Sequence, residues 1–402
     1  MPSSDPGTWN VLVMTPASCA RYNHTRILHK HCRAVTEFNF IEALKRLGLA
    51  DTKNLLSRII SEKKIDVFFI SMYGDSFLLG PEFLRTLRQK TKIVLCCWDD
   101  DVHFDTHSKH YATSVDAVVT TDYFSLAAYR ELGVPAILCF VNLSKDMHPP
   151  LGLVRDIDVS FVGNCAKADR KAYLDFLEDN GVKVKRFGFG STNGFLSDEE
   201  MIQVFNRSKI NLNFSRLEYV DWIHGPSPAS KRAMGHKGRP IEVAMTRSFC
   251  LSESYPALTH VFEIGAEIDV FTDRNSLLEK VRHYLANEKQ REAVAGRSYL
   301  RAMRQYEDDV FFPRLALELN AAFNRPEEVS PLKGEDPDFL ERRVNDLVVH
   351  GLSRLLHGQL RGTASIVREL IACDPEIRRR GLSGGVRRSL DILRRKYCNP
   401  CG

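Results

Sequence analysis

The chain lacks any uncharged apolar run approaching the eighteen or so residues that a membrane-spanning helix needs. Its first residues, Met1-Pro-Ser-Ser-Asp-Pro-Gly7, carry no basic segment followed by an apolar stretch, so no secretory leader is read there. The expected location is the cytoplasm. Cysteine is sparse, ten in 402 residues, and Cys96, Cys97, Cys139 and Cys250 fall inside apolar runs where a free thiol acts as a small hydrophobe. A disulfide framework is thereby excluded. Cys398-Asn-Pro-Cys401 has CxxC spacing, but zinc takes four ligands and no second pair stands nearby. Also missing are a GxxxxGK[ST] phosphate loop, a GxSxG elbow, an HExxH helix, a repeat of fixed period and any low-complexity block. The run Gly188-Phe-Gly-Ser-Thr-Asn-Gly194 imitates a dinucleotide fingerprint, but its third glycine comes one residue late, which argues against a nicotinamide enzyme.

What is present is ordinary globular material, 44% apolar and 27% charged, in a chain long enough for two domains and an appendage. Charge is unevenly spread. Residues 331–402 hold 14 Lys/Arg against 9 Asp/Glu, a surplus of five that equals the whole chain's net charge, so the first 330 residues are neutral.

Short β-branched runs alternate with amphipathic stretches, the rhythm of βαβ units and parallel sheets. In the first part the pattern predicts strands at Val11–Thr15, Val67–Ser71, Ile93–Trp98, Ala117–Thr121 and Ile137–Val141. Helices are expected at Glu37–Leu47, Leu55–Glu62, Glu82–Lys90 and Phe124–Leu132. His148-Pro-Pro-Leu-Gly152 interrupts the alternation. The rhythm restarts with strands at Ile157–Gly163, Lys183–Gly188, Ile210–Phe214, Phe249–Glu253 and Ile268–Thr272. Its helices are expected at Arg170–Asp179, Glu199–Asn206, Pro240–Met245 and along Asn275–Tyr306. Residues 307–325 read as helix, Pro326–Pro331 with Gly334 and Pro337 as a linker, and the remainder as a small helical tail. The expectation is an α/β chain with two Rossmann-like domains, 1–150 and 151–325, facing a cleft, plus a linker and basic tail at 326–402.

The most informative segment is Gly235-His-Lys-Gly-Arg-Pro-Ile-Glu-Val-Ala-Met245, followed by Phe249-Cys-Leu-Ser-Glu253. Pro240 suits a first helical turn, which sets Lys237 and Arg239 at a helix N-terminus that favours an anion. Glu242 could accept bonds from sugar hydroxyls beside that phosphate. The alternative is a surface Lys and Arg with Glu242 stabilising the helix start.

Lys237-x-Arg239-x-x-Glu242, the Phe249–Glu253 strand, Phe262-Glu-Ile-Gly-Ala-Glu267 and Leu285-Ala-Asn-Glu-Lys-Gln-Arg291 together resemble the C-terminal domain of group 1 glycosyltransferases, particularly the spore-maturation (CgeB-type) branch. The resemblance spans roughly residues 60–325 and is densest over 157–310. It implies the two-domain GT-B fold and transfer of a sugar from a nucleotide-diphosphate donor held mainly by the C-terminal domain. It also implies that Gly163, Asn164 and Arg170 lie beside the donor phosphates, Gly188 and Gly190 near its base, and Glu253 and Glu267 facing the donor. An ordinary strand-to-helix turn and a solvated carboxylate are the plainer alternatives for the first and last of these. Many group 1 enzymes pair two glutamates eight positions apart, whereas Met234 stands eight before Glu242. Thr246-Arg247 replaces the family's usual glycine after the helix.

Trp98-Asp-Asp-Asp-Val-His103-Phe-Asp105-Thr-His107-Ser-Lys-His110 follows a strand, and residues past a parallel strand's carboxyl end face the ligand side. Asp99, Asp100, Asp101 or His103 could take a proton from an acceptor hydroxyl. A metal site and a solvated loop are the competing readings, the first disfavoured because GT-B enzymes hold pyrophosphate with basic groups and helix dipoles. The expectation is Asp99, Asp100 and His103 as catalytic candidates, no metal and no requirement for magnesium. His24, His29, His31 and Cys32 form a smaller polar group read as loop.

From Glu376 onward eight basic residues face two acidic ones, with Ile377, Leu382, Val386, Leu390 and Leu393 interleaved. Such a segment could lie on an anionic membrane surface or meet an acidic glycan, or be a solvated face; no nucleic-acid module accompanies it. The function expected is transfer of a sugar from a nucleotide-sugar donor to a glycan, lipid-linked or protein acceptor. The alternatives are an inactive GT-B-shaped scaffold and a sugar-nucleotide epimerase.

Overall fold

The computed structural model describes residues 2–14, 25–72, 78–139, 143–216, 234–325, 336–356, 358 and 360–398. Thr15, His24, the expected linker residues Pro326–Pro331 and Gly334, Val141 and Cys401 lie outside them, while Pro337, also expected in the linker, opens a helix. Two compact units result: Met1–Leu138 with Ala316–Gly402, and Cys139–Glu218 with Arg232–Leu315.

The first unit is built on six parallel strands, β1 (Asn10–Met14), β2 (Ala34–Phe38), β3 (Val67–Met72), β4 (Lys92–Cys97), β5 (Ala117–Thr120) and β6 (Ala136–Leu138), in the order β2-β1-β3-β4-β5-β6. Val67, Phe68, Val94, Leu95, Val118 and their neighbours are buried on both faces, as crossover helices on each side require. The helices begin where the side chains allow. Asn39 accepts from the Glu42 amide at the start of Phe40–Leu47, and Asp122 from Ser125 at the start of Tyr123–Glu131. Pro81 opens Pro81–Arg88.

Two elements differ from expectation. Glu37 belongs to the edge strand β2, which pairs with β1 from Asn10↔Ala34 to Met14↔Phe38 and buries only its last residue, so it lacks the continuous apolar run of its neighbours. His29 and His31 sit on a short helix, Thr25–His31, rather than in a loop.

The second unit has five parallel strands, β7 (Ile157–Val162), β8 (Val184–Phe187), β9 (Ser208–Asn213), β10 (Cys250–Glu253) and β11 (Asp269–Phe271), in the order β11-β10-β9-β7-β8. Its core gathers Val159, Phe161, Leu174, Leu212, Phe249, Phe271 and Val281. Polar side chains inside the sheet bond one another: Ser160 Oγ donates to Asn211 Oδ1 (3.0 Å) and Asn213 Nδ2 to Ser252 Oγ (2.9 Å). The long expected helix is two, Arg274–Ala286 and Glu288–Gln305, broken at Asn287.

The chain enters this unit earlier than the Pro-Pro segment suggested. Leu143 bonds to Tyr306 and Asp308, and Asn206 Oδ1 accepts from the Leu151 amide (2.7 Å), so residues 143–151 already lie on its edge. The C-terminal segment is equally not an appendage. Its helices Pro337–Leu356, Leu360–Ala372 and Pro375–Cys398 return to the first unit, where Phe339, Leu347 and Ile366 join the core of Leu56, Leu84 and Tyr111. Lys53–Glu369 (2.8 Å), Arg343–Glu82 (2.6 Å) and an Arg354 bond to the Leu44 carbonyl (2.8 Å) tie them down.

Candidate functional site

In an open parallel sheet the strand order reverses at one place, and ligands bind past the strands' carboxyl ends there. In the second unit that place lies between β7 and β9. Three pieces of chain meet at this edge.

The first is the β7 turn. Gly163 N donates to the Phe187 carbonyl (2.9 Å) and Cys165 N to that of Phe189 (2.8 Å), so the loops after β7 and β8 run on as an extension of the strand pair. They are close enough that a Cβ on Gly188, at φ +104°, would stand 2.3 Å from the Gly163 oxygen. A Cβ on Gly190, at φ +75°, would stand 2.7 Å from Ala166 Cβ. Asn164 Oδ1 accepts from the Ala166 amide (3.0 Å) and tightens the turn. The helix Ala168–Asp179, with no side-chain cap bond at Lys167, starts directly after this turn. Arg170, on that turn, lays its guanidinium 5.9 Å over the Phe161 ring.

The second piece follows β9. Glu253, at the end of β10 and 1% exposed, accepts from the amides of Ser215 (3.0 Å) and Arg216 (3.1 Å) through Oε2 and from Arg216 Nε through Oε1 (2.8 Å). Arg216 is thus aimed by a buried carboxylate yet keeps 38% of its side chain exposed, and Asp169 stands 3.7 Å from it. The bond from Glu253 raises its guanidinium pKa above the ordinary value. The resemblance placed Glu253 against the donor; the structure sets Arg216 in front of it. Sequence reading passed over Arg216, although a basic residue two places after Phe214, itself taken as a strand end, is the signal that would have found it.

The third piece is 234–245. Met234 pairs with Arg216 in an antiparallel bridge, Gly235 N donates to the Ser215 carbonyl (2.9 Å), and His236 Nδ1 lies 2.7 Å from the Tyr255 hydroxyl. Lys237 follows, half-buried. Arg239 and Glu242 stand on the first turn of the helix Arg239–Met245, as the sequence suggested. Glu242 is 0% exposed and ion-paired to Arg239, which also bonds the Val162 carbonyl (3.3 Å) and stacks 4.9 Å over Phe205. The pair thus ties the start of the seven-residue helix Arg239–Met245, buried from Pro240 on, to the carboxyl end of β7. Glu267 closes its own loop, accepting from the Glu263 amide (2.9 Å) with Arg301 at 3.8 Å.

The polar cluster of the first unit is also largely internal. Asp100 is 0% exposed, and its Oδ2 accepts from the Thr120 (2.7 Å) and Tyr129 (2.8 Å) hydroxyls; burial pushes its pKa up to about 7. His107 Nε2 lies 3.4 Å from Asp346 on a C-terminal helix, and His110 stacks on Phe339 (4.1 Å), where burial and then Lys109 push its pKa down to about 4. Asp99 and His103 remain half-buried at the rim. Among the described residues no group of three or more His, Cys, Asp or Glu converges to hold a metal ion, and no helix is long and apolar enough to cross a membrane.

Residues 156–308 match a family model described as glycosyl transferase-like. No curated protein matches by sequence. Among solved structures, the chain is similar to Anabaena HepE in complex with UDP (TM-score 0.54, 11% identity, 78% of this chain and all of that one). It is also similar to a Rickettsia africae glycosyltransferase (0.50, 10%, 80% and all) and to sucrose-phosphate synthase of Thermosynechococcus elongatus (0.50, 10%, 78% and all). The second unit therefore carries the pattern of a glycosyl transferase-like family, on a chain whose two parallel-sheet domains have the GT-B glycosyltransferase fold.

Proposed function

We propose that this chain is a nucleotide-sugar-dependent glycosyltransferase of the CgeB-type branch, hexosyl-transferring, with the donor's diphosphate held at the β7/β9 edge of the second unit. The observation that carries the reading is Arg216, a cation aimed by the buried Glu253 beside the uncapped N-terminus of Ala168–Asp179. An arginine fork at a helix N-terminus suits a pyrophosphate. HepE, similar in fold, was solved with UDP in place, which supports a nucleoside diphosphate for this chain too.

Leaving-group departure puts negative charge on that diphosphate, and cations already oriented there stabilise the transition state more than the ground state. Arg216 would do most of this, with Arg170 and Lys237 beside it, and the charge balance calls for no magnesium. Gly163, Gly188 and Gly190 let the backbone come close to the donor. Asp99 or His103 would receive the acceptor's proton in an inverting reaction, since Asp100 has no solvent-facing atom; a retaining reaction needs no such base. The acceptor is a glycan, lipid-linked or protein hydroxyl.

The test is thermal stabilisation by UDP, GDP, ADP, dTDP and CMP, with and without magnesium. A ligand at about one hundred times its dissociation constant adds about 2.7 kcal/mol, well within resolution. One diphosphate should stabilise the wild type regardless of magnesium and fail on Arg216→Ala and Lys237→Ala. If none stabilises the wild type, the donor reading falls and a GT-B-shaped scaffold takes its place.

A further inference from the structure

The last helix, Pro375–Cys398, is packed the wrong way round for a helix that belongs wholly to a soluble body. Large apolar residues normally face the core and small or polar ones face water. Here the face turned to the helix Pro337–Leu356 is Gly381, Gly384, Gly385 and Ser389. A Cβ on Gly381 would lie 2.5 Å from Val344 Cβ, on Gly384 2.6 Å from Asn345 Oδ1, and on Gly385 2.6 Å from Val348 Cβ. The backbones approach because these positions are small. The bulk of the helix is left outside: Leu382, Val386 and Leu390 are 38%, 44% and 52% exposed and recur at every fourth residue, one continuous stripe. Ile371, more exposed still, stands beside the helix's first turn, where Arg378 bonds its carbonyl (3.0 Å).

The exposed edge of the stripe is cationic. Arg379 sits three residues before Leu382 and Arg387 three before Leu390, both exposed, with Arg380 beyond them. From Glu376 to the end, eight basic residues face two acidic ones. An apolar stripe with arginines along its exposed edge is an arrangement that lies in a lipid headgroup layer, its side chains among the acyl carbons and its guanidiniums on phosphates.

We infer that the outer face of Pro375–Cys398 docks this chain onto an anionic lipid surface, independently of any sugar transfer. The charge surplus along the stripe's exposed edge selects that occupant over a neutral apolar partner, and over a second copy, whose identical arginines would meet like charge.

Sedimentation of the full chain with vesicles tests it, using phosphatidylcholine alone or with one third phosphatidylglycerol. Binding is expected only to the second kind. It should weaken about tenfold in the triple variant Leu382→Ser, Val386→Ser, Leu390→Ser, and by as much in Arg379→Glu with Arg387→Glu. All five positions are exposed, so both variants should melt with the wild type. The inference is overturned if the wild type ignores anionic vesicles, or if the triple variant binds as the wild type does, which would assign adsorption to charge elsewhere. It is equally overturned if the wild type is a dimer that the triple variant splits, since the stripe would then belong to a second copy.

Discussion

Arg216 and Glu253 divide labour between reach and aim. Removing the carboxylate in Glu253→Ala strips partners from two amides and a guanidinium, and should cost about 1–3 kcal/mol of stability. It should also abolish nucleotide-induced stabilisation even under conditions where the variant is folded. A folded Glu253→Ala chain that still responds to the diphosphate would show that Arg216 needs no aiming. Asp100 offers a second test at this scale. Its folded pKa, about 7, lies above the ordinary 3.8, so the native state holds a proton that the unfolded chain has released. Its contribution to stability is complete below about pH 4 and is lost as pH rises to about 7, by at most about 1.4 kcal/mol per unit. Asp100→Asn should flatten that limb of the melting-temperature profile, an outcome readable by calorimetry from pH 4 to 7.

Among the elements, the loops after β7 and β8 behave as one piece, because the Gly163 and Cys165 amides continue the ladder begun by Val162 and Phe187. Gly188→Ala would combine an unfavourable positive φ with a clash against a backbone oxygen. A loss of about 2–4 kcal/mol is expected, measured by urea unfolding. A neutral result would mean that the loops can part without cost. Element legibility followed burial. The inner strands β3, β4 and β5 are apolar on both faces and stand within a residue or two of where the apolar runs put them, whereas β2 escaped notice because its residues Ala34–Glu37 face solvent or are half-covered. The break at Asn287 was hidden for a different reason: the apolar spacing continues through it, and only the cap geometry ends one helix and starts the next.

For the molecule as a whole, the first unit is discontinuous in sequence. Phe323 meets Trp9 (6.1 Å between rings), Asn320 bonds the Ser4 carbonyl (2.7 Å), and Phe339, Leu347 and Ile366 complete the core begun before Leu138. Each of those last three buries a side chain worth about 2–3 kcal/mol. A chain ending at residue 325 should therefore lose the cooperative melting of its first unit and expose apolar surface to a dye. Unchanged melting of that truncation would return the C-terminal helices to the status of an appendage.

The sequence by itself determined the α/β class, two parallel-sheet domains, the positions of most strands and the glycine-bearing turns after β7 and β8. Period and composition are local properties, and β-branched runs between glycines carry them without reference to the rest of the chain. The strand ending near Gly163 and the helix holding Arg170 were legible in the same way. Tertiary structure alone decided which charges face outward. Arg239 and Glu242 read as separate charges in the sequence, and only the fold, which ends β7 at Val162 and sets Phe205 against the guanidinium, pairs them with each other. Arg216 becomes the exposed cation because Glu253, thirty-seven residues later, ends the neighbouring strand and holds it there. Likewise the basic segment became part of the first unit because Gly381 and Gly385 admit Val344 and Val348, a complementarity of shape that no single stretch of sequence contains.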